Sequence, residues 1–280
     1  MLITFSPNSA SGSIGLPAAQ ALSRAGHVVY GLTRSETNAK QLAADESKPP
    51  LHLFRLLAPL LTSICPQVIP VVGEVTNPTP WLDLIKTLDV VIDAVGGTAD
   101  IRTLSASLLS SISTAVKDLR PSTAPKLTYI YTSGTWVHGE NRKDTVSDTT
   151  PCTEPAKLVA WRLDQEQRVV TDPHLNGIVV RPALIYGRSG SLFEPLLRAA
   201  SEGKVAWYGT PGGRYALIHP DDLADLYLRA SEKAGVAGGK IFDAANDMTE
   251  SADDFLEKLA QVSGAKGGYE YIKPANCEFC

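Results

Sequence analysis

The sequence predicts a doubly wound α/β fold, a parallel sheet covered on both faces by helices, with a small lobe formed by the C-terminal part. Three observations predict it. Apolar runs of strand length alternate with amphipathic stretches through most of the 280 residues. The first run leads directly into a turn rich in glycine and serine that opens a helix. After Pro182 the alternation becomes irregular. Continuous apolar strands separated by helical segments imply strands buried on both faces, and right-handed crossovers then wind the sheet in both directions.

The elements follow in order. "LITFS" (2–6) reads as a strand and "GSIGLPAAQALSRAG" (12–26) as a helix stopped by Gly26. "HVVYGLTR" (27–34), "QVIPVVG" (67–73), "DVVIDAVGG" (89–97), "KLTYIYTSG" (126–134) and "NGIVVRP" (176–182) read as strands two to six. Helices are expected over 100–119 and 155–171, and later near 190–203, 221–233 and 250–263. Short strands are expected near 214–218 and 240–243. The expected division is a dinucleotide-binding domain over 1–182, its sheet completed by later segments, and a smaller substrate lobe over 183–280 interleaved with it. The connection between strands two and three is long, roughly 35 residues against the few usual in α/β units. Its excess, 46–67, reads equally as an extra helix, part of an interface or unordered sequence.

Composition narrows the function classes. Hydrophobic residues make up 44% and charged residues 20%, with a net charge of −4. That is an ordinary globular balance with no nucleic-acid-binding surface or charged tail. The N-terminus lacks the pattern of a signal peptide, and 51–65 is too short to span a bilayer, so the expected place is the cytoplasm. Four cysteines, Cys65, Cys152, Cys277 and Cys280, do not make a disulfide framework in a chain of this length. Cys277 and Cys280 form a lone CxxC without the second pair that a zinc site needs, and read as thiols in a loose tail. No metal is expected.

The turn after the first strand carries the chemistry. Ser9, Gly12 and Gly15 sit three apart where strand becomes helix. Glycines there let the backbone approach a pyrophosphate, and the helix N-terminus favours its charge. The candidate contacts are Ser9, Ser11, Gly12, Ser13, Ile14 and Gly15. Ser9 stands where such loops have a first glycine, with Pro7 before it. Arg34 ends the second strand, 19 residues after Gly15, where proteins preferring NAD carry an acid for the ribose hydroxyls. A guanidinium beside Ser35 suits a 2′-phosphate instead, so the expected cofactor is NADP(H).

With these pieces on the page, the chain resembles the extended and atypical short-chain dehydrogenase/reductase superfamily, in the branch called NAD-dependent epimerase/dehydratase. The resemblance is carried by "SASGSIG" (9–15), "GHVVYGLTRS" (26–35), "VVGEV" (71–75), "VVIDAVGG" (90–97), "YTSGTWVHG" (131–139), "VVRPALIYG" (179–187) and "LIHPDDLADLYLRA" (217–230). It implies that Glu74 and Val75 flank the adenine and that Ala94, Val95 and Gly96 line the cofactor. It places Pro182, Ala183 and Leu184 near the nicotinamide, and His219, Pro220 and Asp221 at the start of a late helix. It also implies a tyrosine with a lysine four residues on as the proton-transfer pair. Aligned on Glu166, those places hold Leu158 and Arg162. Leucine transfers no proton; arginine keeps a hydrogen bond to a ribose but stays charged. The family's catalytic hydroxyl falls near Gly134 and Thr135, with Ser133 and Thr135 as the hydroxyls present.

The expected function is therefore an NADP(H)-dependent oxidoreductase acting on a carbonyl, imine or enone group of a small organic substrate, without the tyrosine–lysine pair. Thr135, Arg162 and Tyr186 are the catalytic candidates, and Arg162 doubles as a cofactor contact. A non-catalytic, NADP-binding redox-sensing regulator is the alternative, and a nucleotide-sugar epimerase or dehydratase is third. The expected partner is a small-molecule substrate, with neither nucleic acid nor membrane; a homodimer is allowed. His138 reads more readily as a histidine bonded to backbone than as an acid or base. Trp136 and Trp161 read as pocket-lining or core residues, and "LVAWR" (158–162) has the further reading of a helix turning Leu158 and Trp161 inward.

Overall fold

The computed structural model describes residues 1–4, 12–45, 68–96, 100–188 and 191–272. The expectations for Ser9, Ser11, the 46–67 insertion, Cys65 and the terminal CxxC lie outside the described residues.

The chain forms an α/β structure built on a seven-stranded sheet. Its strands are β1 (Leu2–Thr4), β2 (Val29–Thr33), β3 (Val68–Val72), β4 (Val90–Asp93), β5 (Leu127–Thr132), β6 (Leu175–Pro182) and β10 (Ile241–Ala244). The order is β10-β6-β5-β4-β1-β2-β3. β3, β2, β1, β4, β5 and β6 pair in parallel. Val179 N–H donates to the Lys240 carbonyl and Ala183 N–H to that of Ala244, so β10 advances in the same direction. The strand order reverses at β1, the switch point where open sheets of this kind bind ligands beyond their carboxyl ends.

The helices between these strands are α1 (Gly15–Arg24), α2 (Glu36–Asp45), α3 (Ile101–Leu119) and α4 (Trp161–Val170). α1 buries Leu16, Ala18, Ala19 and Leu22, and Gly26 follows with φ +90°, a stop that a side chain resists. Ser35 starts α2: its hydroxyl accepts the Asn38 N–H at 3.1 Å. The expected helix over 155–171 begins only at Trp161. Ala156 N–H donates to the Trp136 carbonyl, and Val159 N–H returns to Ala156, so the entry tightens into a 3-10 turn at Lys157–Val159.

The remaining elements are β7 (Leu184–Ile185), α5 (Glu194–Ser201), β8 (Val205–Tyr208), β9 (Arg214–Ile218), α6 (Pro220–Glu232), α7 (Ala234–Ala237), β11 (Thr249–Ser251), α8 (Ala252–Ser263) and β12 (Tyr269–Ile272). Sequence periodicity misses β7, β8, β11 and β12 because they are two to four residues long. Among the described residues, no helix is long and apolar enough to cross a membrane.

The chain divides into two compact units. The first comprises Met1–Thr132, Asp164–Val180 and Asp221–Ile241. Its core joins Val91, Val95, Leu108, Ile112, Leu127, Tyr129, Tyr131 and Val179 with Trp81 and Ile85. The second comprises Ser133–Leu163, Arg181–Pro220 and Phe242–Cys280, with a core of Leu184, Phe193, Leu196, Val205 and Leu256. In it Ser251 caps α8 by accepting Asp254 N–H, and Gly264 ends it in the left-handed conformation.

Within the first unit, Tyr129 is fully buried on β5 and donates its hydroxyl to Asp93 Oδ2 at 2.9 Å. Burial pushes this phenol well above its ordinary range, and the Asp93 carboxylate pushes it further. Its protonated form therefore contributes stability that is complete below the unfolded tyrosine value, about 10, and is lost as pH rises beyond it. Tyr129→Phe removes the donor and leaves a buried carboxylate oxygen short of a partner, a loss of about 1–3 kcal/mol. Urea unfolding at pH 7 is expected to show that loss. Above pH 10 the wild type is expected to lose stability more steeply than the variant; parallel pH profiles would contradict the assignment.

Candidate functional site

The first unit gathers most of the expected cofactor contacts along one edge of its sheet. Arg34 and Ser35 follow β2, Glu74 and Val75 follow β3, and Ala94, Val95 and Gly96 follow β4. These strands are parallel, so their carboxyl ends share that edge. Gly12 and Gly15 are buried, Ser13 and Ile14 half-buried. Ile14 is the N-cap of α1, and no side chain among the described residues caps the helix. Amide groups at a helix N-terminus are the feature that holds an anion in sites of this kind. Arg34 is exposed at the end of β2. The Ser35 hydroxyl already serves α2, which leaves its proton as the remaining donor.

The other two turns are fixed from behind. Trp81, fully buried, donates its indole N–H to the Glu74 carbonyl at 3.0 Å. A Cβ on Gly73 would lie 3.1 Å from the Trp81 ring, so glycine lets that ring close on the turn. Val75 packs on the core. Asp93, also buried, accepts the Val95 N–H at 3.1 Å on Oδ1 while Oδ2 takes the Tyr129 hydroxyl. One carboxylate therefore shapes the Ala94–Gly96 backbone. Sequence reading passed over it, although an acid inside the apolar run "VVIDAV" was the available signal.

The second unit holds the catalytic candidates. Thr135 opens a 3-10 turn, Thr135–His138, and is half-buried. The preceding Gly134 stands close to the Pro182 carbonyl, which would be 3.8 Å from a Cβ placed there. Leu184 and Ile185 pair with Leu217 and Ile218. This brings Tyr186 against His219, ring centroids 5.4 Å apart and edge to face. Arg162, half-buried, has its guanidinium carbon 4.9 Å from the centre of the neighbouring Trp161 ring.

Three expectations need correction. Leu158 is not on the α-helix and does not turn inward: it lies in the 3-10 turn with 42% exposure. Trp161 is half-buried, its indole N–H held by the Leu158 carbonyl, and Trp136 is 41% exposed, so neither is a core residue. His138 is bonded to side chains rather than backbone. Its Nε2 lies 2.7 Å from Asp243 Oδ2, and its Nδ1 lies 3.5 Å from Cys152 Sγ. It is thus occupied by partners that sequence could not place beside it.

A model of the NAD dependent epimerase/dehydratase family matches residues 10–245. The chain belongs to the NAD-dependent epimerase/dehydratase family. Solved structures agree on the fold of this family member. A dTDP-glucose 4,6-dehydratase from Bacillus anthracis str. Ames, in complex with NAD, superposes with a TM-score of 0.73 at 14% identity, over 99% of this chain and 86% of that one. A UDP-glucuronic acid 4-epimerase from Bacillus cereus, in complex with UDP-glucuronic acid and NAD, gives 0.69 at 18% identity, over 99% and 88%. A dTDP-glucose 4,6-dehydratase from Streptomyces venezuelae with NAD and TYD bound gives 0.70 at 15%, over 98% and 84%. Comparison with curated proteins gives no match.

Gly187, in the "IYG" of this family member, has φ +82°, and a Cβ there would lie 2.6 Å from two atoms of the His219 ring. Gly187→Ala is expected to lose about 1–2 kcal/mol from the backbone alone and to displace His219 from Tyr186. Thermal unfolding checks this; an unchanged midpoint would count against it.

Proposed function

We propose that this chain is an NADP(H)-dependent oxidoreductase that transfers hydride to or from a carbonyl, imine or enone carbon of a small organic substrate. The observation that carries the reading is the N-terminus of α1, which no side chain among the described residues caps, beside the reversal of strand order, within a family whose model spans most of the chain. The residues present fit a dinucleotide. The α1 amide groups, with Gly12, Ser13, Ile14 and Gly15, would hold the pyrophosphate. Glu74 and Val75 would flank the adenine, and Ala94, Val95 and Gly96 would lie along the ribose and nicotinamide. Pro182 and Leu184 would shelter the ring. The bound nicotinamide supplies the hydride chemistry; the chain binds, orients and moves the proton.

Without a phenol at Leu158, the proton carriers are the Thr135 hydroxyl, the Tyr186 phenol, or a water held by Arg162. General acid–base assistance is typically worth about 10²–10⁴-fold, so a site without its usual donor still supports hydride transfer to a substrate that needs little protonation. The second reading, action on a nucleotide sugar, is favoured by the dehydratase and epimerase structures that share the fold. The deciding experiment is cofactor titration followed by an NADPH-consumption screen over aldehydes, ketones, imines and enones, with nucleotide sugars as a separate arm. Turnover in the first arm supports the proposal. Turnover confined to the sugars selects the second reading, and binding without turnover in either arm selects a redox-sensing regulator.

Two variants sharpen the test. Arg34 stands where an acid would select NAD, so NADPH is expected to bind more tightly than NADH. Arg34→Ala is expected to shrink that preference by about 1.5–3 kcal/mol, the scale of a hydrogen bond to a charged group; equal wild-type affinities by calorimetry would overturn it. Arg162→Ala is expected to weaken cofactor binding severalfold, and unchanged binding would remove Arg162 from the ribose contact.

A further inference from the structure

Four side chains of the second unit line up outside the cofactor contacts. Cys152 Sγ lies 3.5 Å from His138 Nδ1, and His138 Nε2 lies 2.7 Å from Asp243 Oδ2. Arg181 NH1 stands 3.6 Å from the other carboxylate oxygen. The His138 side chain is 4% exposed and that of Asp243 16%, while Cys152 is half-buried and within reach of solvent. The elements hold this line in register. His138 ends the 3-10 turn at Thr135–His138, and Gly139 follows with φ +68°. A Cβ on Gly139 would meet the Glu154 carbonyl at 1.9 Å, so glycine is what lets segment 152–156 close on the turn. The Ala156 N–H to Trp136 carbonyl bond secures the same contact. Asp243 comes from β10 and Arg181 from β6.

The order of the groups has a chemical consequence. An ionised carboxylate only accepts, so the Asp243 contact places the imidazole proton on Nε2. Nδ1 is then the bare nitrogen, and it faces the thiol. A histidine that merely braced the turn against β10 would need only the Asp243 contact. A nucleophile, a base that takes its proton and a third group that orients the base make the arrangement of an activated thiol. Because the imidazole stands between sulfur and carboxylate, the three do not converge on a point, and no metal-holding group of this kind forms among the described residues.

We propose that Cys152 is a nucleophilic site, activated by His138 and oriented through Asp243, that forms a covalent adduct with α,β-unsaturated carbonyl compounds. His138 Nδ1 takes the thiol proton. The sulfur forms a bond to the β-carbon, the π pair of the C=C bond moves onto the α-carbon, and the proton held by His138 ends there. No oxidant or reductant enters. The Thr150 carbonyl also lies 3.9 Å from Sγ, and a carbonyl is not a base that competes for the thiol proton. The charged or titratable groups in the line are His138, Asp243 and Arg181.

The magnitude follows from thiolate supply. An ordinary thiol, with a pKa near 8.5, is only a few per cent thiolate at pH 7. Full ionisation raises that supply by roughly thirtyfold, and the lower basicity gives back part of the gain, since nucleophilicity follows basicity with a slope of about 0.4–0.5. A net gain of about threefold remains. The test treats the full chain, without cofactor, with acrylamide across pH 5–10 and reads Cys152 alkylation by peptide mass, with N-acetylcysteine in the same solution as reference. Cys152 is expected to react about threefold faster than the reference at pH 7, with a profile midpoint below that of the reference. His138→Gln and Asp243→Asn are each expected to return the rate toward the reference. A wild-type rate at or below the reference, with the same midpoint, would overturn the proposal even if neither variant folds. So would a folded His138→Gln that keeps the wild-type rate. The assay contains no dinucleotide, so its outcome is separate from that of the hydride-transfer reading.

Discussion

Asp93 is a carboxylate with 1% exposure, at the end of the strand that neighbours β1. Ion burial is costly unless each oxygen is satisfied. Here the Tyr129 hydroxyl serves one oxygen and the Val95 N–H the other. The first bond ties β4 to β5 through their side chains; the second bends the chain out of β4 into the Ala94–Gly96 turn. The same group therefore sets a piece of the core and the path of the backbone expected to lie along a cofactor. A substitution at Tyr129 acts on that segment through Asp93.

A parallel sheet buried on both faces has little room for polar side chains, so they collect at the strand ends. This explains why the first unit was legible. Val90–Asp93, Leu127–Thr132 and Val29–Thr33 are nearly uniform apolar runs, and each was placed within a few residues. The turn chemistry was legible for the same reason: Gly12, Gly15, Gly26 and Ser35 interrupt that pattern where the backbone needs them. What could not be read was the tertiary use of residues that look alike in sequence. Ser35 caps α2 as well as standing in the expected phosphate region, and nothing local announces that Trp81 reaches back to Glu74.

The second unit was less legible because its structure comes from long-range pairing. β9 lies between β7 and β11, and β8 pairs with β12 across more than sixty residues of sequence. Strands of two to four residues leave no periodicity to read. The functional groups here follow the same rule. His138, Cys152, Arg181 and Asp243 come from four separate stretches of sequence, and only folding brings them into line. A single histidine in "TWVHG" justified no more than an expectation of a backbone partner. Its two side-chain partners lie 14 and 105 residues away.

Leu158 stands where the resemblance implies a tyrosine. Had it been packed into a core, a leucine in the place of a phenol would be explained by stability: apolar burial is worth about 1.5–3 kcal/mol for such a side chain. It is instead 42% exposed on a tightened turn, where little of that gain is available. Packing therefore gives little reason for a leucine at this position. Arg162, four residues on, has its guanidinium carbon 4.9 Å from the centre of the Trp161 ring. Arginine does not release its proton under ordinary conditions, but it holds water and anionic oxygen well. On the proposed hydride-transfer reading, a substrate whose developing negative charge can be stabilised by a cation, rather than neutralised by a proton, fits that arrangement. On that same reading, an enone or an activated imine meets this condition more readily than a simple ketone.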